Sequence, residues 1–383
     1  MTLPNSTMCV FSRIFKLFHK FRGTLSATRK NDLFPIPKLF KEKTMKRRAF
    51  FASTVATAFG SASALAQTAS NQFKFPENVD ENAVNPPPGQ VPYRSNIPVF
   101  DFRIRPPYKG YMNLGIIKVW RNIPTDPRKM RPTGFERRHV ESIAKADMNL
   151  LVKEMEEANV IGGVLMGRET MNPVYGGVPN EDLAELCEKY PGKFVAFAGI
   201  CPHDPKALEK MEYAIKTLGM KGVSLDPGWC DPAIQAYDKK IYPIVDLASQ
   251  LNVPVAYAMS AYTGPDLTYT DPSKMMPMLK QYKNVNFVLC HGAWPHVQEV
   301  LGLAAVCPNL YIVPDAYFYV RNMPFAEEFV KAANSFMKYR MLFGTGYPIR
   351  GFEQCVENWS NRGLTNESLR LSLFENAKYL LNL

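Results

Sequence analysis

Residues 99–107 read VFDFRIRPP, and the two arginines, Arg103 and Arg105, pose the chemical question of this chain. Side chains two apart on a strand share a face, so both guanidiniums are expected on one side of a short apolar run, together with Asp101. A guanidinium stays charged at ordinary pH and offers only donors, so the pair cannot ligate a metal ion. It does match a carboxylate or phosphate in bidentate fashion. Charge buried without a partner is costly. Two arginines at one strand tip therefore need anions, supplied either by Asp101, Asp226 or Asp315 or by a ligand.

Further side chains could join that chemistry. His291, in LCHGAWP, suits general acid or base work near neutral pH; its structural alternative is capping the helix that follows. His296, further along, is expected at the surface or behind the site. Asp226, in LDPGW, could accept a proton, partner an arginine or cap the next turn, and Asp315, in PDAYF, carries the same alternatives. Arg168, in MGRET, would be a third cation for an acidic substrate unless Glu169 neutralises it. Tyr257, Trp294 and Tyr347, with Trp229 and Tyr317, fall near the ends of apolar runs, where an aromatic face either packs or stacks on a cyclic ligand. The expected catalytic pair is His291 and Asp226. The expected substrate contacts are Arg103, Arg105, Arg168, Tyr257, Trp294, Asp315 and Tyr347. No metal or cofactor is assigned. A soft ligand set of Cys201, His203, Cys230 and His291 is the competing arrangement, although no local spacing supports it.

These residues gain meaning from the elements that carry them. Eight β-rich runs recur at 97–105, 160–168, 193–201, 221–228, 253–260, 285–293, 310–318 and 340–348. Helical stretches separate them. Asp204-Pro205 opens KALEKMEYAIKTLG, Asn180 opens EDLAELCEKY, and SKMMPMLKQY should be interrupted or cut short by Pro277. Strands alternating with helices predict a parallel sheet, and eight units without a GxGxxG turn predict a closed (β/α)8 barrel of the TIM type rather than an open doubly wound sheet. The C-terminal ends of barrel strands build the active site. Arg103, Arg105, Arg168, Cys201, His203, Asp226, Tyr257, His291, Asp315 and Tyr347 all fall there.

Read in order, these strand ends resemble the amidohydrolase superfamily. The branch they resemble contains aminocarboxymuconate-semialdehyde decarboxylase-like and resorcylate decarboxylase-like enzymes. The resemblance runs over roughly residues 97–383 and rests on KYPGKFVAFAGICPHDP, GMKGVSLDPG, IYPIVDLASQLNVPV, CHGAWP, RMLFGTGYP and FENAKYLLNL. It implies a metal-dependent hydrolase or decarboxylase, but the metal ligands are largely missing. The family's first-strand His-x-His is matched by Arg103-Ile104-Arg105, its fifth-strand histidine by Ala258 and its eighth-strand aspartate by Gly346. Only His291 survives. The superfamily includes lactonase-like members that work without a metal, so the loss is compatible with catalysis.

Charge and composition bound the remaining possibilities. The first 66 residues hold 12 Lys+Arg and 2 Asp+Glu out of chain totals of 46 and 35, which leaves 34 and 33 for the rest of the chain. All but one unit of the net charge of +11 therefore sits in the leader, and a nucleic-acid-binding reading loses its support. Residues 1–44 read as a basic extension upstream of Met45, from a misassigned start or as a true basic arm. Residues 45–66 read as a twin-arginine export signal: Arg47-Arg48, a moderately apolar run and the cleavage motif Ala64-Leu65-Ala66. That run is short and Ser/Thr-rich for a membrane span. Residues 67–96 are proline-rich and read as an arm or linker, followed by the barrel domain at 97–383. The expected location is the periplasm or the exterior. Seven cysteines show no CxxC pair, and their spacing does not choose disulfide partners. Whether the chain forms a homo-oligomer stays open.

The expected function is an exported hydrolase or carbon–carbon lyase that works without the family's usual metal. Its substrate would be a small carboxylated compound, cyclic or aromatic, held by arginines. The alternatives are a non-catalytic anion-binding protein and a metalloenzyme with relocated ligands.

Overall fold

A computed structural model describes residues 73–383. The basic extension, the export signal and the start of the arm lie outside the described residues.

Seven parallel strands form one sheet in the order β1 to β7: Val99–Ile104, Val160–Met166, Phe194–Gly199, Gly222–Leu225, Val255–Ala258, Phe287–Cys290 and Leu310–Val313. Each falls inside an expected run, and each pairs with its sequence neighbour. The eighth run differs. Residues 340–347 form no regular strand, but they bridge both edges of the sheet, at Ile312↔Met341 and Ile104↔Tyr347. The N–H of Leu342 bonds Ile312, and the N–H groups of Phe102 and Arg105 bond Phe343 and Tyr347. Gly344 and Gly346, with Gly346 at φ +66°, break the extended run that a ladder needs.

The strands are buried on both faces, which explains why they read as near-continuous apolar runs. Alternation still sorts them. Phe100, Phe102, Val164, Met166, Val195, Phe197, Val288 and Val313 share one cluster, while Ile104, Leu165, Ala196, Leu225, Tyr257 and Leu289 pack with the helices in another. The first cluster is floored by Phe73, Phe75 and Phe374, whose rings meet at 4.8 to 5.0 Å. The two predicted helices around residues 181–219 appear at Asn180–Lys189 and Ala207–Lys216. Pro277 cuts its helix short: Ser273–Met275 form only a 3-10 turn, and the α-helix begins at Met276. Pro277 occupies the first turn of Met276–Gln281, where its missing N–H has no helical partner to lose.

Strand β1 departs from simple alternation. Its register with β2 shifts between Asp101 and Ile104. Phe102 packs edge-on against Phe197 in the inner cluster, and its neighbour Arg103 also points inward to Asp315. Such an irregularity re-aims side chains. It also removes Asp101 from the arginine network, contrary to the expectation that all three share one side. The Asp101 carboxylate instead accepts from the N–H of Arg103 and from the N–H and hydroxyl of Thr345.

Candidate active site

The strand ends bring six polar side chains together. Arg103, Arg105, Arg168, Asp226, His291 and Asp315 are each at most 4 % exposed. Asp226, at the end of β4, takes Nε and Nη2 of Arg168 at 3.3 and 3.1 Å and stands 3.7 Å from Nη2 of Arg105. Asp315, after β7, accepts from Nδ1 of His291 at 2.5 Å, and its second oxygen lies 3.3 Å from Nε of Arg103. That last contact lacks hydrogen-bond alignment. All three guanidinium nitrogens of Arg103, and Nε and Nη2 of Arg105, make no hydrogen bond within the protein.

The charges follow from this geometry. Burial works to raise the Asp226 carboxyl, but Arg168, Arg105 and Arg103 together hold it below its ordinary value. It is a fixed anion, so the structure places the expected proton carrier as the partner of two arginines. Burial, followed by Arg103 and Arg168, disfavours the charge on Arg105 and outweighs the pull of Asp226. Burial and then the Arg103 guanidinium push His291 down to about 4, against the opposing pull of Asp315. The imidazole is therefore neutral at pH 7. Because a carboxylate only accepts, Nδ1 carries the hydrogen and Nε2 keeps its lone pair. Asp101, separate from this cluster, is pushed up to about 7, mainly by burial.

The backbone at His291 is unusual. His291, Gly292 and Ala293 have φ of 65°, 57° and 52°, a left-handed turn in which two of three residues carry a Cβ. Non-glycine residues rarely adopt this conformation, and such strain concentrates at functional sites. The turn swings the imidazole out of strand register and into a cavity.

That cavity has a volume of about 370 Å³ and opens at the C-terminal ends of the strands. Arg168 and His291 line it, with Trp229, Ser260, Tyr262, Tyr317 and Arg131 around them. The Arg168 guanidinium lies 4.1 Å over the Trp229 ring, and that of Arg131 lies 4.8 Å over Tyr262. Tyr317 stacks between Trp294 and Tyr262 and shares a hydrogen bond with Ser260 at 2.8 Å. A larger groove of about 1010 Å³ lies at the opposite ends of the strands, lined by residues such as Lys221, Asn252, Asn286 and Tyr379. It holds none of the strand-end residues, so the chemistry and not the size of the cavity assigns the site.

The remaining expected residues fall in different places. Arg103, Arg105, Asp226 and Asp315 are buried in the network and do not line the cavity wall. Trp294 supports Tyr317 and donates its indole N–H to Pro324. Tyr257 is not part of the site: it faces the helix layer, where its hydroxyl meets Met278 and its ring stacks on Phe287. Tyr347 is also outside it, stacked on Phe352 with its hydroxyl on Ser142. Even period-2 positions near strand ends point outward half the time, which is why these two aromatics were mis-sorted. Arg131 was missed, because nothing in the long β1–β2 connection marks one arginine among several. His296 bonds the carbonyl of Leu267, away from the cavity.

A family metal does not fit here. Three guanidiniums surround the position, Nδ1 of His291 is committed to Asp315, and no group of three or more His, Cys, Asp or Glu that could hold a metal occurs among the described residues. The competing set also dissolves: both ring nitrogens of His203 are engaged, by the Pro232 carbonyl and by Lys240. Gly346 is informative. A Cβ added there would lie 3.3 Å from the Asp315 carboxyl carbon. Asp315 of the neighbouring strand end thus occupies the space beside the position where the family resemblance places a carboxylate.

An α/β fold with a curled parallel sheet and a polar cluster at its strand ends defines a TIM-barrel-like protein of hydrolase or lyase type. The chain belongs to the amidohydrolase family, whose profile matches residues 153–383. It is 34 % identical to an uncharacterised TIM-barrel protein from Bordetella bronchiseptica, at a TM-score of 0.68, covering 75 % of this chain and 99 % of that one. More distant likenesses show the fold alone. A 2,6-dihydroxybenzoate decarboxylase from Rhizobium is 15 % identical at a TM-score of 0.52, covering 75 % and 99 % of the two chains. A probable 2-pyrone-4,6-dicarboxylic acid hydrolase from Acinetobacter baumannii, solved with citric acid bound, is 15 % identical at 0.50, covering 74 % and 99 %. No curated protein matches the chain.

Proposed function

We propose that the chain hydrolyses a small carboxylated substrate, an ester or lactone on a ring, without a metal ion at the family position. One observation carries this reading: three buried guanidiniums face two carboxylates, and five nitrogens of Arg103 and Arg105 make no hydrogen bond in the protein, two of them having only a carboxylate at ion-pair distance. A site built this way attracts an anion. The substrate carboxylate would sit on Arg168 at the cavity floor, with its ring between Trp229 and Tyr317. Arg103 and Arg105, beneath, supply positive potential for an oxyanion that develops at the attacked carbonyl. His291 takes a proton from water through Nε2, held in orientation by Asp315.

Neutral His291 favours hydrolysis over decarboxylation, which would require a protonated ring to deliver a proton to carbon. The substrate's own charge offsets Arg103 and so increases the basicity of His291 once bound. Relatives described as a dicarboxylic acid hydrolase and a dihydroxybenzoate decarboxylase support an acidic ring substrate. The bridges from residues 341 and 347 to the two sheet edges support closure into a (β/α)8 barrel. The Arg47-Arg48 leader supports export to the periplasm or beyond; no helix among the described residues is long and apolar enough to cross a membrane.

The test is a turnover screen of carboxylated lactones, esters and aromatic carboxylates with the wild-type chain and His291→Ala. Turnover by the wild type, lost in the variant while the substrate still raises Tm, is the expected result. Anions that raise Tm without any product would replace this reading with that of a binding protein.

A further inference from the structure

We propose that Cys201 and Cys230 are a redox-modifiable pair that closes into a reversible disulfide beside the arginine cavity. Their Sγ atoms stand 3.7 Å apart. Topology explains the meeting. Cys201 follows β3 and Cys230 follows the short turn Pro227–Trp229 after β4, and these strands are parallel neighbours in the sheet. Two chain exits from adjacent strands thus run side by side, although the cysteines show no motif spacing. A disulfide requires an S–S separation of about 2.05 Å, so closure asks for a movement of about 1.7 Å, within reach of side-chain rotation at one or both residues.

The environment distinguishes the two sulfurs. A hydrogen bond from Cys230, with further help from the N–H of His203, holds the Cys201 thiol below its ordinary value against the effect of burial. The one S–H of Cys230 can turn instead to the carbonyl of Asp226, 3.6 Å away. Cys201 is therefore the nucleophile and Cys230 the resolving thiol. Both are nearly inaccessible, at 1 % and 3 % exposure, which selects a small oxidant. Hydrogen peroxide fits. The Cys201 thiolate attacks one oxygen, the O–O bond breaks, and the released hydroxide takes a proton to become water. The Cys230 sulfur then displaces the oxygen carried by the Cys201 sulfenic acid, which leaves as water with the Cys230 proton, and the S–S bond forms. Two thiols lose two electrons and one peroxide becomes two waters.

The bond would act on the site through one residue. Cys230 directly follows Trp229, whose ring underlies Arg168. Tying Cys230 to the end of β3 anchors the turn from Asp226 to Trp229, which holds both partners of Arg168.

The experiment treats the reduced full chain with hydrogen peroxide and digests it with trypsin without reduction. The expected product is peptide 194–206 joined to peptide 222–239, a loss of about 2 Da from the summed masses, reversed by dithiothreitol. Cys201→Ala and Cys230→Ala should each abolish the cross-link. Cys307→Ala should keep it, and circular dichroism of all three variants confirms folding. Recovery of both peptides fully alkylated after peroxide overturns the proposal, as does sulfinic acid at Cys201 or a cross-link that uses any other cysteine.

Discussion

Replacing Arg105 with methionine tests the charge excess directly. Its Nη2 lies 3.7 Å from Asp226. At an effective dielectric of about 20, a contact at that distance is worth about 4.5 kcal/mol. Arg103 and Arg168 each oppose the charge on Arg105 more strongly than Asp226 supports it. The attraction is therefore offset, and the desolvation of a fully buried guanidinium stays uncompensated, a cost of several kcal/mol. Asp226 keeps Arg168 as a partner at 3.1 Å, so it is not orphaned by the change. Methionine refills most of the stem volume. The expected outcome is a ligand-free protein more stable by about 2 kcal/mol, with Tm raised by about 4 °C. Scanning calorimetry with and without a millimolar aromatic dicarboxylate measures both halves of the argument. The wild type should gain stability from the anion, and Arg105→Met should gain much less. A variant that loses more than about 3 kcal/mol without ligand would show Arg105 to be an internal partner of Asp226 and would refute the excess-charge reasoning.

Other outcomes follow from the same geometry. Asp226→Asn leaves three guanidiniums facing one carboxylate and should cost about 4 kcal/mol in chemical denaturation, with partial rescue by added anions. Asp315→Asn keeps the shape but removes the carboxylate charge and must present its NH2 group to either His291 or Arg103, both donors in the wild type; kcat should fall about 100-fold or more with little change in KM, and an unchanged kcat would remove Asp315 from the mechanism. The activity profile has a defined sign: with a base at about 4, kcat/KM should be level near neutrality and fall as pH drops through about 4. Stability has its own window, because the unfolded histidine titrates at about 6.5; the neutral folded form is favoured above that value, and the His291 contribution erodes as pH falls from about 6.5 to about 4. Trp229→Ala removes the ring beneath Arg168 and should weaken anion binding about tenfold, read by calorimetric titration.

Much of this architecture was legible in the residues. Seven of eight β-rich runs became strands, since apolar runs buried on both faces leave a strong trace of length and spacing. The eighth failed as a regular strand because Gly344 and Gly346 break the extended backbone, a local effect that composition cannot weigh against tertiary closure. The arginines, Asp226, Asp315 and His291 were found because strand ends converge in such a fold. Their partners were not readable. A register shift decided that Arg103 turns inward while Asp101 bonds Thr345, and strand irregularities leave no signature in side-chain type. Tyr257 and Tyr347 were misplaced for a related reason: an aromatic ring is equally suited to the helix layer and to a cavity wall. Arg131 comes from a connection whose path depends on contacts distant in sequence.

The aromatic floor beneath the strands carries a consequence for biosynthesis. Phe73 and Phe75 are the first described residues of the chain to be buried, and Phe75 meets Phe374 near the last helix. These rings lie far apart along the chain. The segment around Phe73 rests on Phe100 and beside Gly162, and Phe374 completes the seat, so that end of the sheet is sealed only when both segments are in place. A chain cut short before Phe374 would lack its stopper and expose the inner phenylalanines to quality-control proteases.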